Sequence, residues 1–183
     1  MQTTPTMEQR ATRVAELLMC APNAYDLVYE INAWMHLSDR PDKQLAWKQW
    51  EQLYHILTEQ VGAPVRLIEQ ASEAPDMVFT ANAGLPLPGK RLVLSRFRHP
   101  ERQVEEPYFD QWFRAQGYTI HLLPPDCAFE GEGDAFLIDG TIVAGYLKRT
   151  DICAHRYLSQ LTGLPVLSLE LVDDRWYHLD TCF

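Results

Sequence analysis

The stretch 128–150 reads AFEGEGDAFLIDGTIVAGYLKRT and begins with three acids separated by glycines. On an extended chain Glu130, Glu132 and Asp134 would point to one face, because the side chains of a strand alternate. Three like charges on one face repel each other, so they require a nearby cation or partial protonation. Asp139-Gly140 is typical of the turn of a hairpin that follows. A solvated acidic turn explains the same residues, and both interpretations stay open at this point.

The order of predicted elements recurs along the chain. Three glycines end predicted helices and precede similar phrases: APVRLI after Gly62, YTIHLL after Gly117 and LPVLSL after Gly163. These glycines are 55 and 46 residues apart, which predicts an internal repeat of a ββαβ unit. We expect one domain, 1–183, with repeats at about 25–70, 75–123 and 127–171 and a fourth that begins at 176–183.

Hydrophobic periodicity places the elements within each repeat. The predicted strands are 27–31, 64–68, 77–85, 91–97, 118–123, 165–171 and the hairpin 135–146. The predicted helices are 43–60, 102–116 and 151–162. In the first helix, aromatic and leucine residues at helical spacing are expected to face the core: Leu45, Trp47, Trp50, Leu53, Tyr54 and Leu57. No glycine-rich phosphate turn opens a helix, so an α/β fold of modules around an axis is favoured over a doubly wound sheet.

Composition limits the function classes. A chain of 183 residues, 46% apolar, suffices for one domain with its own core. A formal charge of −9 argues against a nucleic-acid partner, because phosphate binding needs a basic face, and it favours encounter with a cationic small molecule. No apolar run approaches the ~18 residues of a membrane span, so no membrane partner is expected.

The cysteines and the first residues bear on location. Cys20, Cys127, Cys153 and Cys182 are scattered and form no CxxC pair. The opening MQTTPTMEQRATRVAELLM lacks the basic start and apolar run of a secretory signal. We therefore expect free thiols in a reducing cytoplasm. Residues 1–12 are polar, and we expect them to fray.

Polar residues at equivalent strand ends are expected to converge on the axis of the modules. Beside the three acids of 128–150, the candidates are Asp76, Asn82, His178 and Asp180, with the cations Arg96 and Arg149. A cavity lined by carboxylates and an imidazole suits a flat, permanently cationic guanidinium, which carboxylates bind bidentately. The two arginines would hold a carboxylate at the far end of the same ligand.

Several phrases carry a family resemblance: LMCAPNAYDLVYEINAWM (18–35), PDMVFTANAG (75–84), FEGEGDAF (129–136), AGYLKRT (144–150) and YHLDT (177–181). They resemble the guanidino-group-modifying superfamily, which has the pentein fold of dimethylarginine dimethylaminohydrolases, arginine deiminases and amidinotransferases. The resemblance covers nearly the whole chain and implies a five-bladed α/β propeller. About three modules and the first strand of a fourth would be present here, with no cofactor.

The resemblance also implies roles for the matched residues. His178 would be the general acid/base, with Asp180 of the same HxD motif holding substrate or orienting the ring. Asp76 would bind substrate. Asn82 stands where the deiminase and dimethylargininase branches carry an aspartate, which leaves its substrate-binding role open.

Two arginines and two glutamates complete the implied set. Arg149 matches the arginine that meets the substrate carboxylate, and Arg96 matches a second arginine on the substrate side. The family pattern places the catalytic glutamate three residues before the aspartate, whereas Gly131 stands there in this chain. A shift of one residue makes Glu130 the catalytic carboxylate, which we favour. Glu132 is the alternative and otherwise a substrate ligand.

The family mechanism is covalent: a cysteine thiolate attacks the guanidinium carbon, and the histidine protonates the departing amine. The resemblance places that cysteine well beyond the HxD motif, and Cys182 lies within the HLDTCF phrase instead. We therefore expect a hydrolase-like or amidinotransferase-like chain that lacks its nucleophile and is weakly active or inactive. Whether it is itself an enzyme stays open.

Other interpretations compete with the enzymatic one. The chain could be a non-catalytic module that binds guanidino ligands. A divalent metal on the acids 130, 132 and 134 with His178 is a third interpretation, although no spacing demands it. A strand that opens a fourth repeat would leave an unpaired edge, so we expect either a homo-oligomer or a longer parent protein.

Overall fold

The computed structural model describes residues 16–183, so the prediction of a frayed segment at 1–12 lies outside the described residues. Within that range eight strands form three separate sheets. The strands are β1 (Leu17–Cys20), β2 (Val65–Ile68), β3 (Gly84–Leu87), β4 (Arg91–Leu94), β5 (Thr119–His121), β6 (Ala135–Ile138), β7 (Thr141–Tyr146) and β8 (Val166–Glu170). The helices are α1 (Lys43–His55), α2 (Pro100–Gln103), α3 (Glu106–Ala115) and α4 (Ile152–Thr162). The predicted α/β class is confirmed.

Two of the sheets have the same topology. In one, β3 pairs antiparallel with β4, and β5 returns parallel to β4 after α2 and α3. In the other, β6 pairs antiparallel with β7, and β8 returns parallel to β7 after α4. The remaining sheet has β1 and β2 in parallel, connected through α1. The described chain therefore contains the predicted ββαβ order twice and a βαβ unit once, and none of its sheets closes on itself.

Local signals set the helix ends. Asp42 accepts hydrogen bonds from the backbone N–H groups of Gln44 and Leu45 at 2.9 and 3.1 Å, which caps α1. A π-helical turn, Ile56–Gln60, continues α1, so the predicted helix at 43–60 is confirmed with an altered last turn. Gly163 ends α4 in the left-handed conformation (φ 71°). None of the described helices is long and apolar enough to cross a bilayer.

Two predicted strands are wrong or shortened. The segment 27–31 forms no strand, because its polar backbone bonds to side chains: the Ile31 carbonyl accepts from the Arg149 guanidinium at 2.8 Å. The segment 77–85 is mostly 3-10 helix, Pro75–Val78 and then Thr80–Ala83, and becomes extended only at β3. Pro75 sits in the first turn, where its missing N–H is not needed.

The last predicted strand, 176–183, is also wrong. Residues Leu179–Thr181 form a 3-10 turn. The N–H of Leu179 donates to a carboxylate oxygen of Asp134 at 3.0 Å, so no neighbouring strand uses it. The Thr181 N–H closes the turn onto the His178 carbonyl at 3.2 Å.

Two hydrophobic clusters form most of the core. One lies between α4 and the sheet of β6, β7 and β8, and includes Phe129, Ile142 and Leu158, all fully buried. The other lies under α3 and includes Met77, Phe97, Phe109 and Leu92. The polar segments that carry the candidate site residues connect these clusters, so the packing of the core determines where those segments meet.

The aromatic stripe of α1 was expected in the core, and that expectation is wrong. None of the residues of α1 is buried, and Leu45 and Leu53 are 51% and 49% exposed. The rings pack along the helix itself, Trp50 against Trp47 at 5.6 Å and against Tyr54 at 5.5 Å between centroids. Helical periodicity identified an apolar face but not what covers it.

The prediction of four free thiols is wrong for one pair. Cys127 and Cys153 form a disulfide with Cα atoms 6.1 Å apart. The chain brings them together because the N–H of Asp151 donates to the Ala128 carbonyl at 2.9 Å. The other two cysteines are free, Cys20 buried and Cys182 exposed.

Candidate active site

A cavity of about 550 Å³ opens where three irregular segments meet. Its walls come from 25–35, from the 3-10 turns at 76–82 and from 177–181. The sequence-predicted residues that line it are Asp76, Asn82, Arg149, His178 and Asp180. The expectation that these distant positions converge is therefore correct, although none of them lies within a regular strand.

Glu130 lies behind the cavity wall and is fully buried. Its Oε2 is 2.6 Å from Nε2 of His178 and 3.2 Å from Nη1 of Arg149. Burial alone would raise the pKa of Glu130, but the hydrogen bond with His178 and the nearby guanidinium charges outweigh it and lower the pKa to about 2. Glu130 is thus an ionised carboxylate beneath the histidine.

His178 is 4% exposed and faces the cavity. Because ionised Glu130 can only accept, Nε2 of His178 carries the hydrogen that joins them. Nδ1 has no hydrogen-bond partner among residues 16–183, so it is the ring atom available to hold or pass a proton. The ring fits against Gly133, where an added Cβ would lie 2.1 Å from Nδ2 of Asn82 and 3.5 Å from Cδ2 of His178.

Arg149 links the site to the irregular segment over it. Besides Glu130, it donates through Nη2 to the Ile31 carbonyl at 2.8 Å. Its guanidinium lies over the ring of Tyr177, 5.0 Å from the centroid. Trp34 makes a second tie, since its indole N–H donates to the Arg175 carbonyl at 2.9 Å.

The opposite wall holds a second buried ion pair. Arg102 donates through Nε and Nη2 to the two carboxylate oxygens of Glu105 at 2.7 and 2.8 Å. Its Nη1 donates to Oδ1 of Asn82 at 2.8 Å, and its Nε lies 4.0 Å from the Asp76 carboxylate. Burial raises the pKa of Asp76 despite the opposing charge of Arg102. Asp76 is therefore a buried carboxylate at the limit of ion-pair distance from Arg102, whose short hydrogen bonds go to Glu105 and Asn82 instead.

Sequence reasoning missed Arg102 as a site residue. From the sequence, the i,i+3 spacing of Arg102 and Glu105 on a predicted helix is sufficiently explained as a helical ion pair, but the two residues are 3% and 0% exposed. A cation in a short helix between two apolar stretches is the signal that could have found it.

Two predicted site residues lie away from the cavity. Arg96 pairs through its backbone with Phe129, and its side chain does not line the cavity. Glu132 lines a separate cavity of about 80 Å³, together with Arg66 and Trp112. Burial raises the pKa of Glu132 to about 7. The four proposed metal ligands therefore do not share one site.

The acids diverge because their turn is not extended. Residues Gly131–Gly133 form a 3-10 turn, in which successive side chains rotate by about a third of a turn. Glu130 consequently contacts His178, whereas Glu132 lines the small cavity. Asp134 instead bonds to Thr150 and Leu179. Asp180, in contrast, is an exposed residue at the cavity rim.

Comparison with known proteins identifies the family. The family described as N,N dimethylarginine dimethylhydrolase, eukaryotic, matches residues 26–183. The chain belongs to the dimethylarginine dimethylaminohydrolase family. Its family places it in the pentein superfamily, as the sequence motifs predicted.

Two curated relatives share much of this sequence. The chain is 50% identical over 169 residues to the bifunctional arginine dihydrolase/ornithine cyclodeaminase AgrE of Nostoc sp., covering 91% of this chain and 24% of that protein. It is 40% identical over 177 residues to the N(G),N(G)-dimethylarginine dimethylaminohydrolase of Mycobacterium tuberculosis, covering 94% of this chain and 56% of that protein. The chain thus spans about a quarter of the length of the first of these relatives and about half of the length of the second.

Solved structures support the fold. AgrE in a binary complex with L-arginine superposes with a TM-score of 0.86 at 49% identity, over 91% of this chain and 25% of that one. The N-terminal domain of ArgZ bound to substrate gives a TM-score of 0.83 at 47% identity, over 91% of this chain and 61% of that one. A dimethylarginine dimethylaminohydrolase structure at 17% identity gives a TM-score of 0.71, which supports the fold alone.

Proposed function

We propose that the cavity binds the guanidinium group of arginine or of an N-methylated arginine, and that His178 and Glu130 form its acid/base pair. The observation that carries this proposal is the 2.6 Å contact between Nε2 of His178 and Oε2 of fully buried Glu130. A carboxylate beneath an imidazole stabilises the imidazolium, which can then donate a proton to a departing amine.

Asp76 and Asp180 are the groups we propose for the guanidinium itself. Both line the cavity near His178. A guanidinium presents five N–H donors in one plane, and carboxylates match that plane with paired hydrogen bonds. Asn82 can accept a further N–H, but Arg102 already uses its Oδ1. Arg96 and Glu132 are left out of this proposal because their side chains lie outside the cavity.

The carboxylate of an arginine-like ligand needs a cation at the other end. Arg149 lines the cavity and lies beside the irregular segment 25–35, so it can meet that carboxylate with donors it does not use on Glu130 or Ile31. The aromatic walls made by Tyr25, Phe79 and Tyr177 would enclose the aliphatic part of the ligand. The proposed ligand thus runs from the two aspartates to Arg149.

Hydrolysis is the reaction that the relatives favour, since those named above are dihydrolases and a dimethylaminohydrolase. A thiolate would attack the guanidinium carbon, and the amine would leave with a proton from His178. Water would then release the product and regenerate the thiolate. Amidino transfer, the other predicted outcome, would place an amine where that water reacts.

No cysteine of the described chain lines the cavity, which bears directly on turnover. Cys182 is exposed with its Sγ against the carbonyl oxygens of His178 and Leu179. Burial raises the pKa of the Cys20 thiol to about 12, and the remaining two form the disulfide. We therefore propose that these residues supply binding and proton transfer, and that turnover needs a thiolate they do not provide. A guanidino-binding module without turnover is the second candidate on the same observation.

Three further predictions remain proposals. We propose that the sheets are blades of a pentein propeller, which the repeated ββαβ topology supports. We propose a cytoplasmic location, although the disulfide is uncommon in that compartment. We also propose a homo-oligomer, because the apolar face of α1 is exposed.

Calorimetric titration with L-arginine, followed by assay for citrulline, ornithine and ammonia, tests the proposed function. We expect saturable binding and little or no product from the 183-residue chain. Binding with steady product formation would overturn the proposal about the thiolate. Absence of binding by arginine and by its N-methylated forms would overturn the proposed function.

A further inference from the structure

Asp134 is a fully buried acid that the proposed chemistry does not use. It is 0% exposed, does not line the cavity and has no Lys or Arg partner within the described chain. Ionised side chains are rarely buried without a cation unless several hydrogen bonds compensate them. The partners of Asp134 therefore indicate what it does.

The carboxylate of Asp134 joins two segments that are distant in sequence. Its Oδ2 accepts the hydroxyl hydrogen of Thr150 at 2.7 Å, and its Oδ1 accepts the N–H of Leu179 at 3.0 Å. Thr150 in turn accepts the N–H of Glu130 at 3.1 Å through the same hydroxyl oxygen. One carboxylate thus restrains the backbone of Glu130 and the residue that follows His178.

The fold leaves room for this arrangement at Gly145. The N–H of Gly145 donates to the Asp134 carbonyl at 2.8 Å. An added Cβ at Gly145 would lie 3.3 Å from Oδ1 of Asp134 and 3.1 Å from Cβ of Leu179. A side chain at this position would push apart the two groups that Asp134 holds together.

We propose that Asp134 is the positioning residue that sets the contact between His178 and Glu130, by holding Thr150 and Leu179 on one carboxylate. It acts through these neighbours and not on the ligand. The proposal rests on the function proposed above, in which the same histidine and glutamate transfer the proton.

Protonation of Asp134 would loosen this arrangement. The charged groups that face it are His178, from the segment packed against it, and Glu130, on its own turn, whereas Thr150 and Leu179 are uncharged. Burial raises the pKa of Asp134 from 3.8 to about 6 against the opposing charge of His178 and the hydrogen bonds it accepts. Protonation converts one carboxylate oxygen into an O–H donor and weakens the carboxyl group as an acceptor for the Thr150 hydroxyl and the Leu179 N–H. Ligand binding should therefore weaken as the pH falls through about 6.

The stability of the fold should respond in the opposite direction. A carboxyl with a raised pKa stabilises the fold fully below its unfolded value, and that contribution is lost as the pH rises through its folded value of about 6. At neutral pH the ionised Asp134 therefore lowers stability. An isosteric neutral residue should be as stable as the native one or more stable, which a merely structural role would not predict.

The test uses four variants of the 183-residue chain, a fifth for signal assignment, and three measurements: arginine binding, the His178 NMR signals and the melting temperature. Asp134→Asn keeps the shape of the side chain and removes its charge. Asp134→Ala removes the hydrogen bonds to Thr150 and Leu179. Thr150→Val removes the hydroxyl, whereas Thr150→Ser retains it as the matched control. L-Arginine binding is measured by calorimetry between about pH 5 and 8. The His178 ring nitrogens are observed by NMR without ligand, with His178→Asn for assignment.

We expect Asp134→Ala and Thr150→Val to weaken arginine binding by at least about tenfold and to change the His178 nitrogen signals, since a tenfold loss corresponds to one buried hydrogen bond. Thr150→Ser should behave as the native chain. Asp134→Asn should remove the change in affinity near pH 6 while its melting temperature at neutral pH stays equal or rises.

The proposal is overturned if Asp134→Asn and Thr150→Val both keep the arginine affinity, the pH profile and the His178 signals of the native chain. This outcome decides the question even if Asp134→Ala fails to fold. If the native chain does not bind arginine, the proposed function fails, but the ligand-free His178 signals still decide the positioning role.

Discussion

Glu130 and Glu132 lie two residues apart on one turn, yet their surroundings are opposite. Glu130 is fully buried against His178 and Arg149, which lower its pKa to about 2. Glu132 has no hydrogen-bond partner among residues 16–183, and burial raises its pKa to about 7. The 3-10 turn between them separates the two side chains. An acid-rich motif therefore contains residues of different kinds, and only the backbone conformation tells them apart.

The largest effect is expected from Glu130→Gln. This change leaves His178 and Arg149 buried without their shared anion, and breaking a buried pair costs about 3–5 kcal/mol. We expect a loss of stability of that size and loss of measurable arginine binding. Chemical denaturation and calorimetry measure the two.

Glu132→Gln is the matched control, because it makes the same chemical change at the other acid of the turn. Arginine affinity should stay within about twofold, since the small cavity is separate from the proposed site. Equal loss of affinity in the two variants would remove the distinction drawn between these regions.

A smaller effect is expected from the disulfide that precedes the Glu130 end of the turn. Cys127→Ser with Cys153→Ser removes a cross-link over 26 residues of sequence, and loss of such a link typically costs about 2–4 kcal/mol. We expect a lower melting temperature and weaker arginine binding. The small cavity that Glu132 lines should be unchanged. Thiol titration of the unfolded native chain should find two free thiols; four would contradict the disulfide.

The two acids also predict opposite dependences of stability on pH. Glu130 has a lowered pKa, so its contribution is present above its unfolded value of 4.5 and is lost as the pH falls toward about 2. Glu132 has a raised pKa, so its contribution is present below 4.5 and is lost as the pH rises through about 7.

Glu132→Gln should consequently be more stable than the native chain above neutral pH, by up to about 3 kcal/mol. The two chains should have equal stability near pH 4. Denaturation curves at several pH values measure this difference, and a variant that is less stable at high pH would contradict the raised pKa.

The smallest effect is expected on the face of α1. Leu45→Ala and Leu53→Ala should each change stability by less than about 1 kcal/mol, because both side chains are half exposed, whereas a buried phenylalanine such as Phe109 loses about 3–5 kcal/mol on truncation. Light scattering of the same variants tests the proposed self-association. A monomeric native chain would contradict it.

The sequence predicted much of this molecule because its signals were local. Gly163 marks a helix end, Asp139-Gly140 marks a hairpin, and the HxD motif marks His178, and each depends on a few neighbouring residues. The convergence of Asp76, Asn82, Arg149 and His178 was also predictable, because the repeat and the family motifs placed them at equivalent positions.

The failures share a different cause. The conformation of the acidic turn and of 27–31 depends on partners far along the chain, such as Thr150 for Glu130 and Arg149 for Ile31. The disulfide likewise depends on a tertiary contact, and the exposed face of α1 depends on what lies against it. Periodicity and composition contain no information about such contacts.

Titration of the 15N-labelled chain with L-arginine tests the central claim most directly, because each cavity has its own indole N–H. Trp34 lines the large cavity and Trp112 the small one. We predict a saturable shift of the Trp34 indole signal, with the Trp112 signal unchanged. A shift of Trp112 alone, or no shift of either signal, would contradict the assignment of the guanidino site to His178 and Glu130.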